Sequence, residues 1–430
     1  MHLKIRIGSF GKTYIKIVQY CLIMLFFISH NTWYYSLYDM AFRLCNLLVV
    51  SFFILLVPRT RDKNIIKILM FCLIPTILME LIFAGPVNMG DAINNYLFMV
   101  ETILLTHVTY QYDKENFCNR FIKTTVFFAV ISLAFYIVSQ IDYMSLIDSG
   151  ILYKVDMNRL TYTNYYCNIF YALRDREIYR NVGMFCEPGL YQIILNSAIY
   201  IIVFYQQESK IKYRKTTLFI LICTVITNQS GTGYIGLLII LIGILLSNRK
   251  NIDKKVKYIT LIIVLISISV FTYDGIKNGN NSFLYHVVFE KLLNIGSSEL
   301  TTGSVRLDTI KTMLHLILFN PMGYGFTYVS NYKMTYAAES VGARIFVTCA
   351  AIGVIPILIL LYYYLKKAYR NKSSNVQFWV LILIYINTAL AQSREFYPAI
   401  LVLFLLNKKE NKSTKDNISK GLYNNRGDVK

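Results

Sequence analysis

The chain is divided into apolar blocks long enough, or nearly long enough, to cross a bilayer. They run over 14–29, 37–57, 65–85, 93–110, 121–139, 188–205, 217–228, 233–247, 256–273, 341–365, 376–391 and 396–406. A spanning helix takes about 20 apolar residues; several of these are shorter, so the expected number is about twelve. Backbone groups in lipid must be satisfied within the protein, and the blocks lack the alternation of a barrel strand, so they are read as helices. With 55% hydrophobic and 16% charged residues and a mean hydropathy of +0.46, the 430 residues hold too little polar surface for a soluble fold. The expected fold class is an all-α polytopic membrane protein: a single transmembrane domain over 1–406 and a disordered cytoplasmic tail over 407–430.

Positive charge orients the bundle. With the N-terminus inside, about 31 of the 44 Lys and Arg residues fall in or beside the inward loops, and the C-terminus is inside as well. The net charge of +20 is therefore a membrane-topology signal, and no nucleic-acid partner is expected. The basic and then apolar start reads as an uncleaved first span, because SHNTWYY lacks the small residues of a cleavage site. Eight scattered cysteines contain no C-x-x-C and no Cys/His cluster, so no metal site is expected. Cys167 and Cys186 share an outward loop and either pair or stay unlinked.

Two long segments face outward, about 140–186 and 274–340, and the chemistry is expected there. The first is rich in Tyr and Asn and carries Arg159, Arg174, Arg176 and Arg180. Guanidinium forks match phosphate oxygens, and Tyr and Asn suit sugars, although a solvated loop with an interfacial aromatic belt has the same composition. In the second, 284–295 and the stretch from Ser304 read as amphipathic helices on the membrane surface. Arg306 falls on the apolar side of its helix, near Met313 and Ile317, and either snorkels or meets an anion. His315 lies on the polar face. Pro321, Gly323 and Gly325 in NPMGYGF stop that helix and permit a tight turn. NQSGTGY, 228–234, reads as a plain interhelical turn.

RNVGMFCEPGLYQ, from Arg180, sits where the outward loop meets the span at 188. Pro188 suits a first helical turn and Glu187 suits the positive end of the dipole, so capping explains part of it. Arg180, seven residues before Glu187, is not explained by capping. A carboxylate facing cations fits proton transfer from a sugar hydroxyl while arginines hold a phosphate leaving group.

RNVGMFCEPG, then TNQSGTGYIGL, then GSVRLDTIKTMLHLILFNPMGYGF resembles the Wzy-type polysaccharide polymerases of the O-antigen polymerase and ligase superfamily, over about 180–326. The resemblance implies a GT-C-like glycosyltransferase of the bacterial cytoplasmic (inner) membrane that uses no cofactor or metal. It implies inverting transfer of a growing glycan from undecaprenyl diphosphate onto a fresh lipid-linked repeat unit, building O-antigen, capsular polysaccharide or exopolysaccharide. Arg180 and Arg306 are then the candidates for the diphosphate, with Glu187 activating the acceptor or orienting an arginine. Arg174, Arg176, Arg394 and His315 are expected at the substrate, and Arg394 with Glu395 reads equally as a local ion pair. Expected partners are the undecaprenyl diphosphate-linked oligosaccharide, membrane lipid, and a chain-length regulator and flippase of the same pathway.

The ligases of the superfamily commonly carry a His-Asn pair shortly after the second loop. Here that stretch reads YAAESVGARIFVTCAAIGVIP and has neither, which favours a polymerase and leaves the ligase as the alternative. A lipid-linked oligosaccharide flippase should instead concentrate charge at mid-membrane; Arg43, Glu80 and Glu101 lie within spans, but the conspicuous polar groups are in outward loops. A nonenzymatic scaffold would tolerate loss of Arg180 or Arg306.

Overall fold

The computed structural model describes residues 9–83, 89–155, 164–167, 169–174, 177–247, 302–336, 343–392 and 396–407, with a few positions between 258 and 277. Arg159, Arg176, Arg394, Glu395, the surface helix expected over 284–295 and the tail from 408 lie outside the described residues, as does the side chain of Arg306.

The described chain is helical almost throughout. It runs through α1 (Ser9–Ile28), α2 (Trp33–Leu37), α3 (Asp39–Leu56), α4 (Lys63–Phe83), α5 (Met89–Tyr112) and α6 (Phe117–Asp148). A small sheet follows, β1 (Tyr153–Val155), β2 (Asn164–Cys167) and β3 (Tyr171–Arg174). Then come α7 (Pro188–Phe204), α8 (Gln206–Ser209), α9 (Arg214–Asn228) and α10 (Gly231–Leu246). The last helices are α11 (Thr302–Phe319), α12 (Phe326–Tyr336), α13 (Arg344–Ile352), α14 (Val354–Asn371), α15 (Asn375–Ala391) and α16 (Pro398–Leu405).

Among the described residues α3, α4 and α6 are each long and apolar enough to cross a membrane. Shorter apolar helices, Thr13–Ile28, α7, α10 and α15, pack with them. The outer helices turn apolar side chains away from the protein: Leu48 is 72% exposed, Ile82 69% and Ile141 81%. The opposite case is α7, PGLYQIILNSAIYIIVF, whose residues from Leu190 to Phe204 are all buried, as is every residue of α16. A helix apolar all round belongs in a core, and these two form the centre of the bundle.

Contacts separate two ends of the bundle. At one end, the turn after α1 meets the chain entering α7: Trp33 N–H donates to the Met184 carbonyl at 3.3 Å and Cys186 N–H to that of Asn31 at 3.3 Å. There, too, His30 accepts from the Ala399 N–H through Nε2 at 2.9 Å, which puts its own proton on Nδ1, 3.1 Å from the Phe26 carbonyl. At the other end Arg59 donates to the Tyr112 carbonyl at 2.7 Å, Asn407 N–H to the Tyr110 hydroxyl at 3.0 Å, and Arg120 to Asp113 at 2.7 Å and to Gln19. The charge bias of the sequence predicts that the first of these ends faces outward.

Arg43 and Glu101, charges read within spans, are absorbed structurally. The Tyr35 hydroxyl donates to Glu101 at 2.5 Å and accepts from Arg43 Nε at 3.2 Å, while Arg43 also reaches Asn94 and Asp39 and Asn46 donates to Glu101. Glu80 caps α12: its carboxylate accepts from the N–H groups of Phe326 at 2.6 Å and Thr327 at 2.9 Å and from the Tyr96 hydroxyl at 2.7 Å. A carboxylate at a helix N-terminus is favoured by orphan donors and dipole together.

One expected span differs from a straight helix. Over 341–365 the chain forms α13 and α14, bent by 117° at Gly353. NPMGYGF docks into the bend, with Tyr324 N–H donating to the Ala350 carbonyl at 3.0 Å and Gly325 N–H to that of Ala351 at 2.9 Å. Gly323 and Gly353 have φ of +90° and +106°, and the backbones of the two segments touch there.

A second polar cluster sits at the end of the bundle that holds Arg59 and Tyr112. Asp62, just before α4, accepts from Lys367 at 2.6 Å and from the Tyr363 hydroxyl at 2.6 Å. Desolvation opposes ionisation of Asp62, but the hydrogen bonds from Lys367 and Tyr363 and the Lys367 charge outweigh it and hold the carboxyl at about 2. Because the folded value is depressed, this contribution to stability is complete above about pH 4, the unfolded carboxyl range, and is lost as pH falls toward 2. In detergent, the melting temperature of the wild type should fall between pH 5 and pH 3 by more than that of Asp62→Asn. Parallel decline of the two would show that the cluster contributes nothing.

Candidate functional site at the outward mouth

The expected fold class is all-α, and the first long loop departs from it. It instead folds into a three-stranded antiparallel sheet in which Asn164 faces Arg174, Tyr166 faces Ala172 and Tyr153 faces Tyr166 across the strands. Side chains alternate by face, so Cys167, Tyr171 and Leu173 pack on Leu146 beneath the end of α6, while Tyr166 and Ala172 pack on Val182 and Trp33. Arg174 therefore ends β3 on the same face as Tyr166.

Three residues past Arg174, Glu177 joins two of the expected arginines. Its Oε2 accepts from Arg174 Nη1 at 2.9 Å and its Oε1 from Arg180 Nη1 at 2.9 Å. Desolvation alone would raise the Glu177 pKa, but the charges of Arg180 and Arg174 and their hydrogen bonds bring it below the ordinary carboxylate value. Two guanidinium groups on one carboxylate leave a net positive charge. Arg180 also donates through Nη2 to the Gln229 carbonyl at 3.2 Å, and its buried Nε has no acceptor among the described residues.

Gln229 is in NQSGTGY, so that segment is more than a turn. It ends α9 in the left-handed region at φ +48° and presents its carbonyl to Arg180. The two segments are further joined by Asn181 N–H to the Thr227 carbonyl at 2.9 Å and by Asn228 Nδ2 to the Asn181 carbonyl at 2.8 Å. Gly183, at φ +57°, lies against the ring of Tyr191, where a Cβ would stand 2.8 Å from a ring carbon. R-N-V-G thus positions one arginine fork and turns the chain down into α7.

Glu187 occupies the N-cap position of α7, but its side chain makes no capping hydrogen bond, and Pro188 follows at N1. Gln392, the first residue of QSREF, packs on Gly189, where a Cβ would meet its amide oxygen at 2.5 Å, and donates to Thr232 at 3.0 Å. The end of α15, the start of α7 and the start of α10 therefore meet at one place. The structure brings together Arg174, Arg180 and, through the Gln229 carbonyl, the NQSGTGY segment, with Glu187 at the head of α7.

Other candidates are separate. His315 is exposed on α11 with its ring 4.6 Å from Phe319, and no described contact joins it to the arginines. Arg306 belongs to α11, and its side chain lies outside the described residues. Glu177 was not singled out in sequence. The signal was there as R-x-x-E-x-x-R, one-turn spacing that lets a single carboxylate reach both arginines.

Cys167 and Cys186 are unlinked. Burial raises the Cys167 thiol above its usual value, whereas Cys186 is partly exposed. A membrane-impermeant maleimide added from outside should label Cys186 well before Cys167, read by mass spectrometry of peptides. Equal labelling would contradict the packing of the sheet on α6. Among the described residues, no group of three or more His, Cys, Asp or Glu side chains is arranged to hold a metal.

Residues 216–348 match a family model described as O-antigen ligase. The matched segment begins in α9, includes Gln229 and the start of α10, and ends in α13. No curated protein and no solved structure matches the chain.

Proposed function

We propose, from the match of residues 216–348 to a family model described as O-antigen ligase, that this protein is a membrane glycosyltransferase working on lipid-linked oligosaccharide, and specifically a polymerase of repeat units. The observation that carries the reading is the pair of arginine forks on Glu177, one of them bonded to the Gln229 carbonyl inside the matched segment. A cluster with net positive charge and a buried unused N–H suits a diphosphate, which offers several acceptor oxygens and more negative charge than one carboxylate.

In this reading an acceptor sugar hydroxyl attacks the anomeric carbon of the donor glycan. The bond from that carbon to the diphosphate oxygen breaks, its electron pair stays on undecaprenyl diphosphate, and the configuration inverts. Arg180 and Arg174 stabilise the charge that develops on the leaving group. Glu187, whose carboxylate is not engaged in capping, takes the hydroxyl proton or orients an arginine. Arg306, Arg176 and Arg394 are proposed to line the same path, and His315, exposed on α11 and apart from the arginines, is given no part in it. The donor is undecaprenyl diphosphate-linked, the setting is the bacterial inner membrane with both termini inside, and a flippase and chain-length regulator act with it.

The ligase reading stands second, supported by the family description itself. Surface and lipid-linked glycans from a deletion strain complemented with wild type or Arg306→Ala, at equal protein levels, distinguish the two. Single repeats in place of a ladder support polymerisation; long chains that persist on lipid without the protein sink it and favour the ligase.

A further inference from the structure

Two basic segments meet at the end of the bundle that holds Arg59 and Tyr112. Asp62, which accepts from Lys367 and from Tyr363, each at 2.6 Å, ties the start of α4 to the end of α14. The two helices run antiparallel, since further along the pair Cys72 donates to the Pro356 carbonyl at 3.5 Å and Thr76 to that of Ile352 at 3.3 Å. Arg59, Arg61, Lys63 and Lys67 are thereby brought to the level of Lys366, Lys367, Arg370 and Lys372. Among the described residues the carboxylate paired with these eight cations is Asp62, on Lys367. Asp113, which feels the charge of Arg59, is held by Arg120 at 2.7 Å. Arg59 and Arg61 spend hydrogen bonds on the Tyr112 and Ile54 carbonyls, which are neutral.

Topology accounts for cations at this end but not for their collection in one place. At the same end the turn from α5 to α6 carries Asp113, Lys114 and Glu115, and the turn from α7 to α9 carries Lys210, Lys212, Arg214 and Lys215 beside Glu208. Eight cations against one carboxylate repel one another, and an anion from outside the protein relieves the repulsion.

The exposed faces beside the charges show which anion. On α4 the stripe Lys63, Lys67, Phe71, Ile74 and Leu78 is exposed, and on α14 the stripe Leu358, Tyr362, Lys366 and Arg370. Each passes from bare apolar side chains to cations within a turn, and Lys366 lies over the Tyr362 ring at 5.4 Å. A ligand that fits both carries a negative headgroup and acyl chains in one molecule. The tail over 408–430, with seven Lys and Arg against three Asp and Glu, has the same sign as the patch, and so does a second copy of the chain. An acidic soluble protein would use the charges and none of the adjoining apolar surface.

We propose that the seam between α4 and α14 is a binding site for an anionic phospholipid, its phosphate held by Lys63, Lys67, Lys366 and Arg370 and its acyl chains laid along Phe71, Ile74 and Leu358. Bound there, the lipid joins α4 to α14 and braces the longer arm of the 117° bend. The site stands apart from the transfer reading and does not depend on it.

The full-length protein, purified in a neutral detergent, is titrated with dioleoyl phosphatidylglycerol or dioleoyl phosphatidylcholine while its melting temperature is followed, and retained lipid is counted by native mass spectrometry. Phosphatidylglycerol should raise the melting temperature by about 3 °C or more and stay bound, and phosphatidylcholine should do neither. The combined variant Lys63→Gln, Lys67→Gln, Lys366→Gln and Arg370→Gln should bind phosphatidylglycerol about tenfold more weakly. The combined variant Lys210→Gln, Lys212→Gln and Lys215→Gln should bind it as the wild type does. Should the fourfold variant not fold, Lys67→Gln with Lys366→Gln carries the comparison, read as retained lipid. The site is refuted if phosphatidylcholine matches phosphatidylglycerol, or if the distant variant loses as much binding as the seam variant. It is refuted equally if inorganic pyrophosphate alone gives the same shift, which would make the patch a site for free anions.

Discussion

Arg180→Ala should slow glycan transfer by about 10²–10³-fold, the usual effect of removing one fixed donor from a site where charge develops. Arg180→Lys should recover little of it, because an ammonium cannot reproduce a fork that spans Glu177 and the Gln229 carbonyl at once. The measurement is transfer per folded molecule, with melting temperature in detergent as the control for folding. If Arg180→Ala transfers at more than a tenth of the wild-type rate, the diphosphate is held elsewhere. Arg174→Ala should be milder, since the hydrogen bond to the Gln229 carbonyl is made by Arg180.

The second large effect is on folding. Gly353→Ala should destabilise the protein by about 4 kcal/mol or more and leave little folded material. A side chain at φ +106° is strained before any contact is made, and its Cβ would stand 2.6 Å from the Met322 carbonyl carbon, a backbone atom that cannot swing aside. Gly323→Ala meets the facing backbone at 2.4 Å and should behave alike. Gly90→Ala is the control, since nothing lies within 4 Å of the added carbon there. Fluorescence-detected size exclusion of tagged protein separates these outcomes. A folded Gly353→Ala protein would mean that the 117° bend is not a fixed part of the fold.

Particular residues show what sequence makes legible. Pro188 marks the start of α7 because its ring suits N1 and lacks an N–H to satisfy, and hydropathy marks where α7 ends. Gly323 and Gly325 indicate a turn. The bend at Gly353 is hidden, because CAAIGVIP is apolar on both sides and hydropathy measures composition and is blind to direction. The sheet is hidden for a different reason: strands of three and four residues offer too few positions for alternation to be detected. Glu177 illustrates the limit at the site. A carboxylate among arginines reads as an ordinary solvated loop until the fold shows that both forks close on it and that Gln229, 49 residues from Arg180, completes the arrangement.

The all-round burial of α7 has a consequence for membrane thickness. Seventeen residues rise about 26 Å, short of a hydrocarbon core of about 30 Å. A lipid-facing helix of that length would thin the bilayer or tilt to fit. No face of α7 is left for acyl chains, so the matching to bilayer thickness falls on the surrounding ring of α3, α4 and α6. The level of Glu187 and Arg180 is set by protein packing alone, and the mouth keeps its geometry in membranes of different acyl length while the outer helices adjust around it.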